Sequence, residues 1–179
     1  MIAGVAAVVL YVILAGPVHA VGAPPKALAG LKVLEAPKPV AEVAFTDAKG
    51  GRHSLSDFKG HYVLLNLWAT WCGPCVRELP ALASLKRRAD PGRLDVLAVN
   101  VGRSTAAETG TFLKAHDAGA LAVYVDSNLA LMRVFGAYGL PMTVLIDPKG
   151  REIAQAFGAQ QWSAPDAVDY FNTLPKPAP

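Results

Sequence analysis

Cys72 and Cys75 are the only cysteines in the 179-residue chain, and they stand three positions apart in Trp71-Cys72-Gly73-Pro74-Cys75. Two thiols at this spacing can close a disulfide and reopen it, which is redox chemistry. A framework disulfide is a poor alternative, because its benefit grows with the length of loop it closes and a bond across two residues stabilises almost nothing. Structural zinc requires about four ligands. His19, His53, His61 and His116 stand singly, without the His-x3-5-His spacing of a metal site. Each histidine therefore reads as a solvated surface or loop residue, and no metal is expected. Trp71 reads as a surface platform beside the cysteines.

The elements around this pair follow from periodicity. Val63 to Trp68 is an apolar run interrupted by Asn66, as expected of a strand covered on both faces. From Pro74 to Ala89, the residues Val76, Leu79, Leu82, Ala83 and Leu85 recur at helical spacing, which sets the cysteines at a strand-to-helix junction. Pro80 should kink that helix. Asp95 to Val101 predicts a second strand, and Ser104 should cap a helix to about Ala118, with Glu108 as its capping-box partner. Leu121 to Val125 predicts a third strand, and Asp126-Ser127 opens a helix to Phe135. Met142 to Ile146 and Glu152 to Phe157 predict two strands joined by the turn Asp147-Pro148-Lys149-Gly150, before a last helix from about Ser163 to Leu174. Upstream, Ala41 to Phe45 and the turn signal Asp47 to Gly51 predict a short hairpin, and Ser54 to Gly60 a single helical turn. Strands alternating with helices define an α/β class with a central mixed sheet, an N-terminal β-hairpin and a central αβ insertion.

The net charge is +3, with Lys and Arg scattered. No basic stripe with interleaved aromatics is present, so nucleic-acid binding is excluded as a function class. Residues 1–20 hold an apolar run, Ile2 to Val18, at the lower limit for spanning a bilayer. It reads as an export signal cut near Ala20 or as an uncleaved membrane anchor. Residues 21–39 are rich in Pro, Ala and Gly and read as an extended tether without a core. The domain is expected over 40–174, followed by a disordered tail over 175–179.

This pattern resembles the thioredoxin fold and, within it, the exported TlpA/ResA-like disulfide reductases, the TlpA side most closely. The resemblance spans about Val40 to Tyr170. It is most specific in Asn66 to Cys75, in Glu78-Leu79-Pro80, in Leu140-Pro141-Met142-Thr143 and in Val144 to Gly150. Val101 to Leu121 resembles the family's helix-containing insertion.

The resemblance implies roles residue by residue. Cys72, at a helix N-terminus that favours thiolate, attacks a partner disulfide, and Cys75 resolves the mixed disulfide. Gly73 and Pro74 bring no charge that would stabilise the thiolate further, which implies a reducing couple nearer thioredoxin than DsbA, two proteins about 150 mV apart. The peptide bond before Pro141 is implied to be cis and to face the cysteines. The backbone beside Pro141, with Leu140, is implied to pair with an extended segment of the partner. Asn66 occupies the place of the buried acid of cytosolic thioredoxins. Glu78 either replaces that acid, buried near the sulfurs with a raised pKa, or faces solvent in the first helical turns.

The leading function is an exported reductant of protein disulfides, on the periplasmic side of the bacterial inner membrane. It needs no cofactor beyond the Cys72–Cys75 disulfide. The implied partners are a membrane electron donor of the DsbD/CcdA type and clients such as apocytochrome c or the copper-delivery proteins of oxidase maturation. Two other classes stay open. A redoxin-type thiol peroxidase would use Thr-x-x-Cys, but Ala69 stands three before Cys72. A copper-binding chaperone would need a third ligand.

Overall fold

The computed structural model describes residues 21–176. The apolar segment 1–20 and tail residues 177–179 lie outside the described residues. The frame is one eight-stranded mixed sheet in the order β1-β8-β7-β4-β5-β6-β2-β3. Its strands are β1 (Lys32–Pro39), β2 (Ala44–Asp47), β3 (Arg52–Ser54), β4 (Tyr62–Trp68), β5 (Leu94–Asn100), β6 (Tyr124–Val125), β7 (Met142–Ile146) and β8 (Arg151–Phe157). Among the described residues four α-helices complete it: α1 (Gly73–Arg88), α2 (Ala106–Ala115), α3 (Ala130–Val134) and α4 (Pro165–Asn172).

The site hangs from β4, which is buried along its whole length. It pairs in parallel with β5 and antiparallel with β7, Leu67 standing opposite Met142. Successive side chains of a strand point to opposite faces, and β4 feeds two cores accordingly. Leu64 and Trp68 pack with Leu79, Leu82 and Leu85 of α1 and with Val168 and Phe171 of α4. Val63, Leu65 and Leu67 pack on the other face with Phe45, Leu131 and Phe135. Each such leucine contributes about 1.5–3 kcal/mol by leaving water. Asn66 has the parity of Leu64 and Trp68, so a polar side chain is turned into the α1 core.

Helix α1 starts where its first N–H groups lack helical partners. Cys72 is the N-cap, its Sγ accepting from the Cys75 N–H at 3.3 Å. Pro74 lies in the first turn, where a missing N–H costs nothing. The last turn carries Lys86, Arg87 and Arg88 against the negative end of the dipole. The helix continues through Pro80 to Arg88.

Several expectations need correction. Residues 21–39 are not a tether without a core. Leu28 and Leu31 are buried in the α1-side cluster, and Lys32–Pro39 forms strand β1 on β8. Pro37 and Pro39 are compatible with this because β1 is an edge strand whose outward N–H groups have no partner to lose. The cap of α2 is Thr105, one residue later than expected, and it forms the reciprocal box with Glu108. Strand β6 is only two residues long, because it meets just Val99 and Asn100 at the end of β5. Helix α3 is shorter than expected, since residues 126–129 form a turn held by the Asp126 carboxylate. That carboxylate accepts from the N–H groups of Asn128 (3.2 Å) and Leu131 (2.7 Å). Leu129 in this turn has φ of 56°.

Candidate active site

Cys72 and Cys75 are joined by a disulfide, with Cα atoms 5.3 Å apart. Cys75 has no exposed surface and Cys72 keeps 5%, so a partner approaching from solvent meets the sulfur of Cys72. Gly73 and Pro74 are exposed at the helix start. Trp71 is 73% exposed, whereas Trp68 and Phe45 lie in the core.

The Leu140–Pro141 peptide bond is cis. Pro141 enters β7 at the end where β4 delivers the cysteines, since Met142 is opposite Leu67. The Pro141 carbonyl accepts from the Gly158 N–H at 2.9 Å. Leu140 N–H and C=O make no backbone hydrogen bond among the described residues.

Of the two placements open for Glu78, the buried one is found: its exposure is 3%. Its Oε1 accepts from Asn66 Nδ2 at 2.8 Å. Its Oε2 accepts from Trp162 Nε1 at 2.9 Å and from the Gln160 N–H at 3.1 Å. Burial pushes the carboxyl above its ordinary value, and the bonds from Trp162, Asn66 and Gln160 pull part of the way back. Asn66 also donates to Thr143 Oγ1 at 2.9 Å, while its own Oδ1 is buried without a partner among the described residues. Glu78 lies three residues beyond Cys75, a spacing that stacks side chains on one helix face.

Sequence reasoning missed Trp162 and Gln160, which lie more than eighty residues from Glu78. It also missed the support behind them. Gln160 Oε1 accepts from the Gly30 N–H at 3.0 Å, and the Gln161 N–H donates to the Ala27 carbonyl at 3.2 Å. The N-terminal segment thus braces the loop that holds the acid. On the outer side, a cavity of about 660 Å³ opens at Trp71, the residue before Cys72, lined also by Thr70, Gly102, Arg103, Glu108 and Leu129. Among the described residues, no cluster of three or more His, Cys, Asp or Glu could hold a metal, and no helix is long and apolar enough to cross a membrane.

A Cys-x-x-Cys disulfide opening the helix after a central strand, with a cis proline entering the neighbouring strand, defines a thioredoxin-fold protein. The chain belongs to the AhpC/TSA family, whose profile matches residues 36–177, and within it to the TlpA/ResA-like thiol–disulfide oxidoreductases. It is similar to the thiol-disulfide oxidoreductase ResA of Bacillus subtilis, with 34% identity over 128 residues, covering 72% of this chain and 69% of the relative. A solved structure from Chlorobium tepidum, provisionally named thiol:disulfide interchange protein DsbE, is 29% identical with a TM-score of 0.62, covering 69% of this chain and 86% of that one. The exposed lipoprotein thioredoxin of Streptococcus pneumoniae is 26% identical with a TM-score of 0.61, covering 72% of this chain and 98% of that one. The protein is accordingly a thiol–disulfide oxidoreductase.

Proposed function

We propose that the protein is an exported reductant of protein disulfides that serves cytochrome oxidase copper-site or cytochrome c maturation. The observation that carries the redox assignment is the asymmetry of the pair: Cys72 keeps some exposed surface, while Cys75 has none and stands three residues before a buried acid on the same helix. The Cys72 thiolate attacks a client disulfide, forming a bond to one client sulfur while the other leaves as a thiolate. Cys75 then passes its proton to Glu78 and attacks Cys72 Sγ, which expels the second client thiolate. Two electrons have moved to the client, and Cys72–Cys75 is again a disulfide.

Burial makes the Glu78 carboxylate a stronger proton acceptor than an ordinary one, which suits it to take the Cys75 proton. Once protonated, its O–H needs an acceptor. A half-turn of the Asn66 amide offers Oδ1, which lacks a partner among the described residues. Trp71, Gly73 and Pro74 form the contact surface around Cys72, and the free backbone groups of Leu140, before Pro141, pair with the client. The oxidised protein is recharged by a membrane dithiol donor of the DsbD/CcdA type, which fits a periplasmic site of action at the inner membrane, tethered by segment 1–20 or released after its cleavage.

Trapping with a Cys75→Ser variant in the native host tests this reading. The variant should accumulate a mixed disulfide through Cys72 with an apocytochrome or a copper-delivery protein. Failure to trap any exported protein would refute it.

A further inference from the structure

Among the described residues three large apolar side chains are strongly exposed: Trp71, Leu129 at 43% and Tyr138 at 84%. All three stand at the end of the sheet where the disulfide lies. Trp71 precedes Cys72, and Leu129 follows β6, whose Val125 stands opposite Asn100 of β5. Tyr138 stacks on Phe157 with ring centroids 4.3 Å apart, and Phe157 stands opposite Met142. The strand order therefore sets a row across this end: Tyr138 by β8, Pro141 entering β7, Cys72 after β4, Gly102 after β5 and Leu129 after β6. At about 4.8 Å per strand the row is roughly 19 Å long, the reach of about six extended residues, with Cys72 near its middle.

Leu129 is out of place for folding alone. Its φ of 56° suits glycine or asparagine, and its side chain gains little from burial. The turn around it is held by Asp126 instead. A residue that breaks a local rule without a packing gain points to function. What Leu129 does is wall the cavity of about 660 Å³ that it shares with Trp71. The cavity lining carries one charge of each sign. Glu108 is held in place as a carboxylate, its Oε2 accepting from the Thr105 N–H and hydroxyl at 2.8 and 3.0 Å, while exposed Arg103 has no ion pair among the described residues and is the charge left to a client.

We infer that this cavity is a client subsite: it takes an apolar side chain, aromatic by preference, about two residues from the client's reacting cysteine, in an extended segment that carries a carboxylate toward Arg103. The inference rests on the reading of the protein as a protein disulfide reductant, with Cys72 as the attacking sulfur.

The test uses the reduced full chain and symmetric disulfide-linked dimers of short peptides with one central cysteine. Each turnover converts one peptide disulfide into two thiols and closes Cys72–Cys75. A Phe two positions to one side of the cysteine should raise the second-order rate constant about tenfold over the all-Ser dimer. Leu129→Asn and Leu129→Gly, both suited to a left-handed turn, should each bring that ratio toward one. Asp beside the Phe should outpace Lys, less so at high salt, and the order should reverse in Arg103→Glu. Equal rates for Phe and Ser dimers on both sides of the cysteine, or a ratio kept in both Leu129 variants, overturns the subsite. Equal rates for Asp and Lys remove its carboxylate half. An all-Ser dimer that the wild-type protein does not reduce at all refutes the reductase reading instead.

Discussion

The ground beneath Cys75 and the surface around Cys72 are built on opposite terms, although one bond of 2.02 Å joins their sulfurs. Beneath, Glu78 is almost fully buried and fixed by three donors from two separate parts of the chain, Asn66 on one side and Gln160 and Trp162 on the other. Above, Trp71, Leu129 and Tyr138 face solvent and pack little. In the proposed mechanism the lower region handles protons, where a small displacement changes an acid's strength, and the upper region is the one offered to clients, where adaptability matters more than order. Stability and selectivity are thereby assigned to different residues.

Truncating one tryptophan in each region gives the sharpest contrast. Trp162→Ala, which empties a fully buried site, should lose about 3–5 kcal/mol in denaturant unfolding. Trp71→Ala should stay within about 0.5 kcal/mol of wild type. Similar losses for the two would erase the distinction.

Trp162→Phe is the finer version. It keeps a ring but removes one donor to Glu78 Oε2, and should cost about 1–3 kcal/mol where the acid is ionised. It should also push the Glu78 carboxyl further up, read as a later pH onset of mixed-disulfide resolution.

Next in size are the pH effects. Because burial raises the Glu78 pKa above 4.5, its ionisation favours the unfolded chain, so its contribution is fullest below 4.5 and is lost as pH rises through the raised value. Glu78→Gln should therefore gain stability relative to wild type as pH rises through that window. The same variant should lose the limb of the resolution rate that climbs with Glu78 ionisation in the wild-type protein. A parallel pH dependence in both proteins would show that Glu78 does not titrate in this step.

The smallest expected effect is in the upper region. Leu129→Asn should hold or raise stability by up to about 1 kcal/mol, by relieving a left-handed leucine. A clear loss would mean that Leu129 serves packing after all.

Much of this was legible in the sequence because its signals are local. Two cysteines at a strand-to-helix junction, an acid three residues on and a proline entering an apolar strand are all short-range patterns, and they marked Cys72, Cys75, Glu78 and Pro141. Trp162 and Gln160 carry no such pattern, since only the closure of the sheet brings them to Glu78. Asn66 was legible as a missing acid but not as a donor to its replacement, because strand parity names a face and not a partner. Lys32–Pro39 does not read as a strand because proline and alanine suggest a linker, while the feature that makes it a strand is an open edge on β8, supplied by a segment far along the chain, as in Lys32 opposite Gln155 or Val33 opposite Ala154.

That edge strand has a wider consequence for a protein whose proposed clients are extended chains. An open sheet edge invites any unfolded polypeptide to add a strand, and sheets that leave one bare tend to aggregate. Strand β1 closes one border with Pro37, Pro39, Lys32 and Lys38, and β3, at the other border, is only three residues long. Both borders are thus poor templates for indiscriminate pairing. The backbone of Leu140, unpaired among the described residues, sits away from either border, next to the strand that leads to Cys72, so under the proposed function a visiting chain would be steered toward chemistry and away from becoming the seed of a deposit.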